Sequence, residues 1–208
     1  MSQLLHVNAS PRRAASQSLA IAEAFVTSYK ERKPETEVDT LHLFEETLPA
    51  FGTVAADAKM AAFSGGEQTP EQVAVWSQAR AVFDRFAAAD EYVFNVPMWN
   101  GGVPYVLKQW IDIITQPGWT FGFDPGAGYQ GLVTGKRAVV VFTAGVYSPG
   151  TPMEFGVDFH STFFVDWLRF IGVTDVEELR FQGNALLADG EKDFREILSG
   201  AGELAARF

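Results

Sequence analysis

Short apolar runs and helical stripes alternate along the whole chain. Leu4, Leu5, Val7 and Ala9, with His6 and Asn8 between them, read as a short buried strand that stops at Ser10-Pro11. Over residues 17–31, Leu19, Ala22, Phe25, Val26 and Tyr29 recur at helical spacing. Val38, Leu41 and Leu43 mark a second strand. Residues 45–68, with Pro49, Gly52, Gly65 and Gly66, have weak periodicity and read as a long irregular excursion. Thr69-Pro70-Glu71-Gln72 then predicts a helix start: Thr69 caps, Pro70 suits the first turn and Gln72 completes a capping box.

The alternation continues to the end of the chain. Residues 91–96 form a third apolar run. Val103, Val106, Leu107, Trp110, Ile111 and Ile114 make a helical stripe, with Lys108 and Asp112 on its wet side. The β-branched run at residues 138–143 is typical of a parallel strand covered on both faces. A helix over 159–171, a last strand over 176–181 and an amphipathic helix through Phe194, Ile197, Leu198, Ala201, Leu204 and Ala205 complete the pattern. Five strands alternating with five helices predict an α/β, doubly wound parallel sheet with helices on both faces, in a single domain spanning residues 1–208. Ligands of such sheets bind at the carboxyl ends of the strands. The loops after the first, third and fourth strands are therefore the places to search.

Composition narrows the chemistry. The chain has 208 residues and no cysteine, which excludes disulfides, thiol nucleophiles and cysteine-ligated zinc. His6, His42 and His160 are isolated, so no metal site is expected, and His6, inside a strand, reads as structural. The net charge of −10 argues against nucleic acid. No apolar run is long enough to cross a membrane, and the first residues do not resemble a signal peptide, so a cytoplasmic location is expected. No G-x-S-x-G elbow is present. The G-x-G-x-x-G match at 126–131 follows Phe123-Asp124-Pro125 rather than a strand and opens no helix, so it is no dinucleotide fingerprint. Gly135-Lys136 is followed by Arg137, not the Ser or Thr of a P-loop.

The first loop, residues 10–18, holds Ser10, Arg12, Arg13, Ser16, Gln17 and Ser18 ahead of a helix. Helix N-termini offer unpaired N–H groups and partial positive charge. Capping alone accounts for Ser16 but not for three serines and two arginines in nine residues. Phosphate binding and simple capping both stand as readings. The third-strand loop carries Met98, Trp99, Asn100, Gly101 and Gly102, and the fourth carries Thr143, Ala144, Gly145 and Val146. Each suits the approach of backbone to a flat ligand, and each is also an ordinary connection when taken alone.

Together these loops resemble the FMN-dependent NADH azoreductases, a branch of the flavodoxin-like quinone reductases. The resemblance is carried by Ser10 with Ser16-Gln17-Ser18, by Pro97-Met98-Trp99-Asn100, by residues 131–138, and by Phe170-Ile171-Gly172-Val173. It implies a flavodoxin-like sheet in the strand order 2-1-3-4-5. It also implies that Ser10, Ser16, Gln17 and Ser18 hold the FMN phosphate. Met98, Trp99, Asn100 and Gly101 would line the ring, with Thr143, Ala144, Gly145 and Val146 opposite. The family often has Tyr at the place of Trp99, an aromatic at that of Gly101, and a Ser- or Gly-rich stretch at 143–146.

The resemblance further implies a homodimer with the sites at its interface. Trp119, Phe121, Phe123 and Tyr129 either reach a partner's site or fill their own core. Phe121, Phe123, Tyr129 and His160 are candidates for the acceptor pocket, with a plain helix-surface position an equal reading for His160. The implied activity takes electrons from NADH or NADPH through FMN to a quinone or azo acceptor by a ping-pong scheme, with no protein nucleophile and no catalytic side chain. Two alternatives share the fold: an electron-transfer flavodoxin, and a cofactor-free protein-contact module.

Overall fold

A computed structural model describes residues 2–208. Its sheet has five parallel strands in the order β2-β1-β3-β6-β7, built from β1 (Gln3–Asn8), β2 (Glu37–His42), β3 (Glu91–Pro97), β6 (Arg137–Ala144) and β7 (Asp175–Gln182). Two further strands, β4 (Phe121–Asp124) and β5 (Gly128–Gly131), pair antiparallel as a separate hairpin. The expected numbering 2-1-3-4-5 is thereby corrected, because the hydrophobic pattern did not reveal these two four-residue strands.

Helices cover both faces. Helices α1 (Gln17–Arg32) and α6 (Gly190–Ala205) pack over Leu4, Val93, Val139, Val141, Leu179 and Phe181. Helices α3 (Pro70–Ala88), α4 (Tyr105–Ile114) and α5 (Ser161–Ile171) cover Leu5, Val7, Tyr92, Phe94, Val140 and Phe142. The expected capping box forms, with Thr69 and Gln72 bonded reciprocally. Lys108 and Asp112 pair on the wet side of α4 at 2.6 Å. The expected irregular excursion is also corrected: α2 (Thr53–Ser64) lies inside it. Only Ala55 and Ala58 of that helix are buried, so it carried no stripe of large apolar residues. Among the described residues, no helix is long and apolar enough to cross a membrane.

Parallel pairing brings the carboxyl ends of β1, β3 and β6 side by side. Asn8 lies opposite Asn95, and Pro97 opposite Thr143. The three loops singled out above therefore leave one edge of the sheet together.

Candidate functional site

The first loop is a cradle of donors. After β1, the chain makes a short 3-10 turn at Arg13–Ala15 and enters α1 at Gln17. Arg13 adopts a left-handed conformation there, at φ 49°. Ser16 caps α1 by accepting from the Leu19 amide at 3.2 Å. That cap leaves the first-turn amides of Gln17 and Ser18 without an intrahelical acceptor. The Ser16 and Ser18 hydroxyls sit 3.2 Å apart, and Ser10, Ser16 and Ser18 are all buried. Hydroxyls and amides converging at a helix N-terminus suit a phosphate monoester. The arginines do not point their charge inward: Arg13 is exposed and pairs with Glu45 at 3.3 Å. A cavity of about 780 Å³ opens beside the loop, lined by Asn8, Ser10, Arg13, His42 and Phe44 among others.

The third-strand loop is a tight reversal. Trp99 and Gly102 exchange two backbone hydrogen bonds of 2.9 Å. Between them, Asn100 (φ 51°) and Gly101 (φ 81°) are both left-handed, the geometry for which Asn-Gly is the preferred pair. Trp99 leans on Phe44 and Tyr105, with ring centroids 5.5 and 6.1 Å away. The amide of Met98 donates to Thr143 O at 2.8 Å, tying this turn to the end of β6. The segment before α5 also reaches it, through the Phe159 amide on Gly101 O at 3.1 Å.

The fourth-strand loop is fastened from the opposite side. Gly145 O accepts the Ala185 amide at 2.7 Å, and Asn184 Nδ2 donates to Gln17 Oε1 at 2.8 Å. The turn after β7 thus joins both the 10–18 loop and the 143–146 loop. Sequence reading missed Asn184, which stands outside every motif.

The pocket candidates divide. Trp119 packs between Trp76 and Phe83 of its own chain, at 4.7 and 5.4 Å. Phe121 meets Tyr129 edge-on and Phe170 at a tilt, and it lines a groove of about 920 Å³ with Phe51, Tyr105 and Phe170. Phe123 and Tyr129 are more than half exposed, at 54% and 65%. His160, expected either to face a pocket or to lie on the helix surface, is instead fully buried beneath the loops. Its Nε2 bonds Val96 O at 2.9 Å, and burial pushes its pKa down to about 4. A neutral ring locked to the backbone supports the β3 end from below.

A family model described as a flavodoxin-like fold matches residues 2–204. A protein of Ruegeria pomeroyi, named an FMN-dependent NADH:quinone oxidoreductase, is 46% identical over 199 residues, covering 96% of this chain and 98% of its own. One of Nitratidesulfovibrio vulgaris with the same name is 43% identical over 180 residues, covering 86% of this chain and 85% of its own. The crystal structure of an azoreductase from Bacillus anthracis superposes with a TM-score of 0.90 at 30% identity, over all of both chains. A Bacillus anthracis FMN-dependent NADH-azoreductase in complex with FMN shares the fold at a TM-score of 0.88 and 24% identity, over 100% of this chain and 99% of its own.

Proposed function

The chain belongs to the flavodoxin-like family that contains the FMN-dependent NADH:quinone oxidoreductases, and on that premise we propose that it passes two electrons from NADH, through FMN, to quinones and azo compounds. The observation that carries this reading is the joined edge of the sheet. A buried donor cradle at the start of α1 stands beside two turns tied to each other by the Met98–Thr143 bond.

Bound there, FMN supplies the redox chemistry, and the chain supplies placement and electrostatics. Ser10, Ser16 and Ser18, with the amides of Gln17 and Ser18, hold the phosphate. Met98, Trp99, Asn100 and Gly101 would line the ring together with Thr143, Ala144, Gly145 and Val146. Left-handed Asn100 and Gly101 turn the backbone sharply enough to bring polar atoms to a flat ligand. Donor and acceptor take turns at one place, which is a ping-pong order. Phe121, Phe123 and Tyr129 form the aromatic wall of the acceptor pocket, and the exposure of Phe123 and Tyr129 fits a homodimer in which a second copy covers them. The protein acts in the cytoplasm as a single domain.

Purified protein should be yellow, should bleach with NADH under argon and should regain colour with a quinone. Initial rates at several quinone concentrations should give parallel double-reciprocal lines. A colourless protein that ignores added FMN overturns the reading, and intersecting lines overturn the ping-pong order.

A further inference from the structure

Beneath the donor cradle lies a buried chain of side-chain hydrogen bonds that none of the roles above uses. His6 Nε2 meets Asn95 Oδ1 at 2.9 Å. Asn95 Nδ2 donates to Asn8 Oδ1 at 2.8 Å and to Ser18 Oγ at 3.3 Å. Asn8 Oδ1 also accepts the Ser10 amide at 2.9 Å, and Asn8 Nδ2 meets His42 Nδ1 at 2.9 Å. His6, Asn8, Asn95 and Ser18 are all buried.

The direction of this chain is determined by one backbone group. The Ser10 amide can only donate, so the oxygen of Asn8 must face it. The nitrogen of Asn95 must then face that oxygen, which leaves the Asn95 oxygen facing His6. His6 is therefore protonated on Nε2. At the other end, Asn8 presents N–H to His42, so His42 Nδ1 carries no proton. Ser18 Oγ accepts from Asn95, so its own proton is left for Ser16 Oγ, 3.2 Å away, or for a ligand in the cradle.

We propose that His6 is a positioning residue for the phosphate seat. By pairing the Asn95 oxygen, it holds the amide in place, so that its N–H stays aligned on Ser18 Oγ and leaves the Ser18 proton for the cradle. The inference rests on the reading that residues 10–18 hold the FMN phosphate. Burial pushes the His6 pKa down to about 4, so at neutral pH the ring is uncharged and offers one N–H. A hydrocarbon in its place leaves the Asn95 oxygen unpaired in the core, so the amide shifts toward another partner and its bond to Ser18 loses alignment.

The test compares FMN with riboflavin, which has the same ring and no phosphate, binding to apoprotein by fluorescence quenching. His6→Leu should weaken FMN by about tenfold and leave riboflavin unchanged, because the Ser18 bond to the charged phosphate loses its alignment. His6→Gln, whose amide still donates to Asn95, should stay within about threefold of wild type. Equal loss of both ligands, or loss of neither, overturns the relay. A wild type that binds riboflavin as tightly as FMN overturns the phosphate reading itself, and the relay with it. A second measurement needs no variant: ¹⁵N NMR of the wild-type holoprotein, with three histidines to assign, should show His6 and His42 both protonated on Nε2. An Nδ1–H tautomer at either residue overturns the proposal.

Discussion

The amide of Met98 donates to the carbonyl of Thr143 at 2.8 Å, so the turn after β3 and the end of β6 move as one piece. Most of the site follows from that bond. The turn it anchors must reverse within two residues, and both of them take positive φ. Gly101 has room for a methyl group, since its nearest foreign atom would be Val157 O at 3.7 Å. Conformation, not space, makes glycine the residue there. Gly101→Ala should destabilise the apoprotein by about 1–2 kcal/mol, the cost of a left-handed non-glycine residue. It should weaken FMN and riboflavin alike, because the turn is assigned to the ring. Denaturant titration and the two flavin affinities check this; a loss specific to FMN would reassign the turn.

The cradle has the opposite signature. Replacing Ser16 and Ser18 together by Ala removes two hydroxyls, each worth roughly 1.5–3 kcal/mol as a bond to a charged group. FMN affinity should fall by about a hundredfold or more, with riboflavin nearly unaffected. Ser16 also caps α1 through the Leu19 amide, so the same variant should lose about 1 kcal/mol of apoprotein stability. Unchanged FMN binding would remove the phosphate assignment.

How much of this the sequence disclosed depends on periodicity. The buried strands and α4 carried repeating apolar positions, and the Thr69–Gln72 box is a local signal that the structure reproduces. Helix α2 was missed because alanines, not large apolar residues, form its buried side. Hairpin β4–β5 was missed because its strands are four residues each, contain glycine and are largely unburied. In the site, the serines, the Asn-Gly turn and the 143–146 loop each lie within one short stretch and were legible. The His6–Asn95–Asn8–His42 chain was not, since its links join residues 89, 87 and 34 positions apart. A polar residue inside a buried strand was the available signal, and it does not name its partner. His160 faced the wrong way in the expectation because helix spacing does not tell a buried N-terminal position from an exposed one.

Gly131 and Gly172 explain why two separate motif pieces travel together. Gly131 ends β5 against the C-terminus of α5, where Gly172 is left-handed at φ 106° and Val133 N bonds Ile171 O at 2.8 Å. A Cβ on Gly131 would collide with the backbone of Ile171 and Gly172, which cannot swing aside as a side chain can. Gly131→Ala should therefore cost about 1–3 kcal/mol, as overpacking does. The hairpin that carries Phe121, Phe123 and Tyr129 would shift with it. KM for the quinone should rise while FMN affinity holds, and a variant with unaltered melting temperature would deny the close approach.

Acid stability should depend on two histidines. Burial holds both His6 and His160 down to about 4, against 6.5 in the unfolded chain. Folding therefore favours the neutral rings. Above pH 6.5 both states are neutral and the full stability is present. As the pH falls from 6.5 toward 4, the unfolded chain takes up protons that the folded chain refuses, and stability declines. The slope approaches about 1.4 kcal/mol per pH unit for each histidine, for a total of about 3 kcal/mol each. Asp158 works against the shift at His160, while Arg180 adds to it. His160→Gln can keep a donor toward Val96 O without a titrating group, so it should flatten the decline between pH 6.5 and 5 by about half of the histidine contribution. Urea unfolding at pH 7, 6.5, 6, 5.5 and 5, wild type against variant, measures the difference. Parallel stability curves for the two proteins would show that His160 takes up its proton in the folded state and is not held neutral by burial.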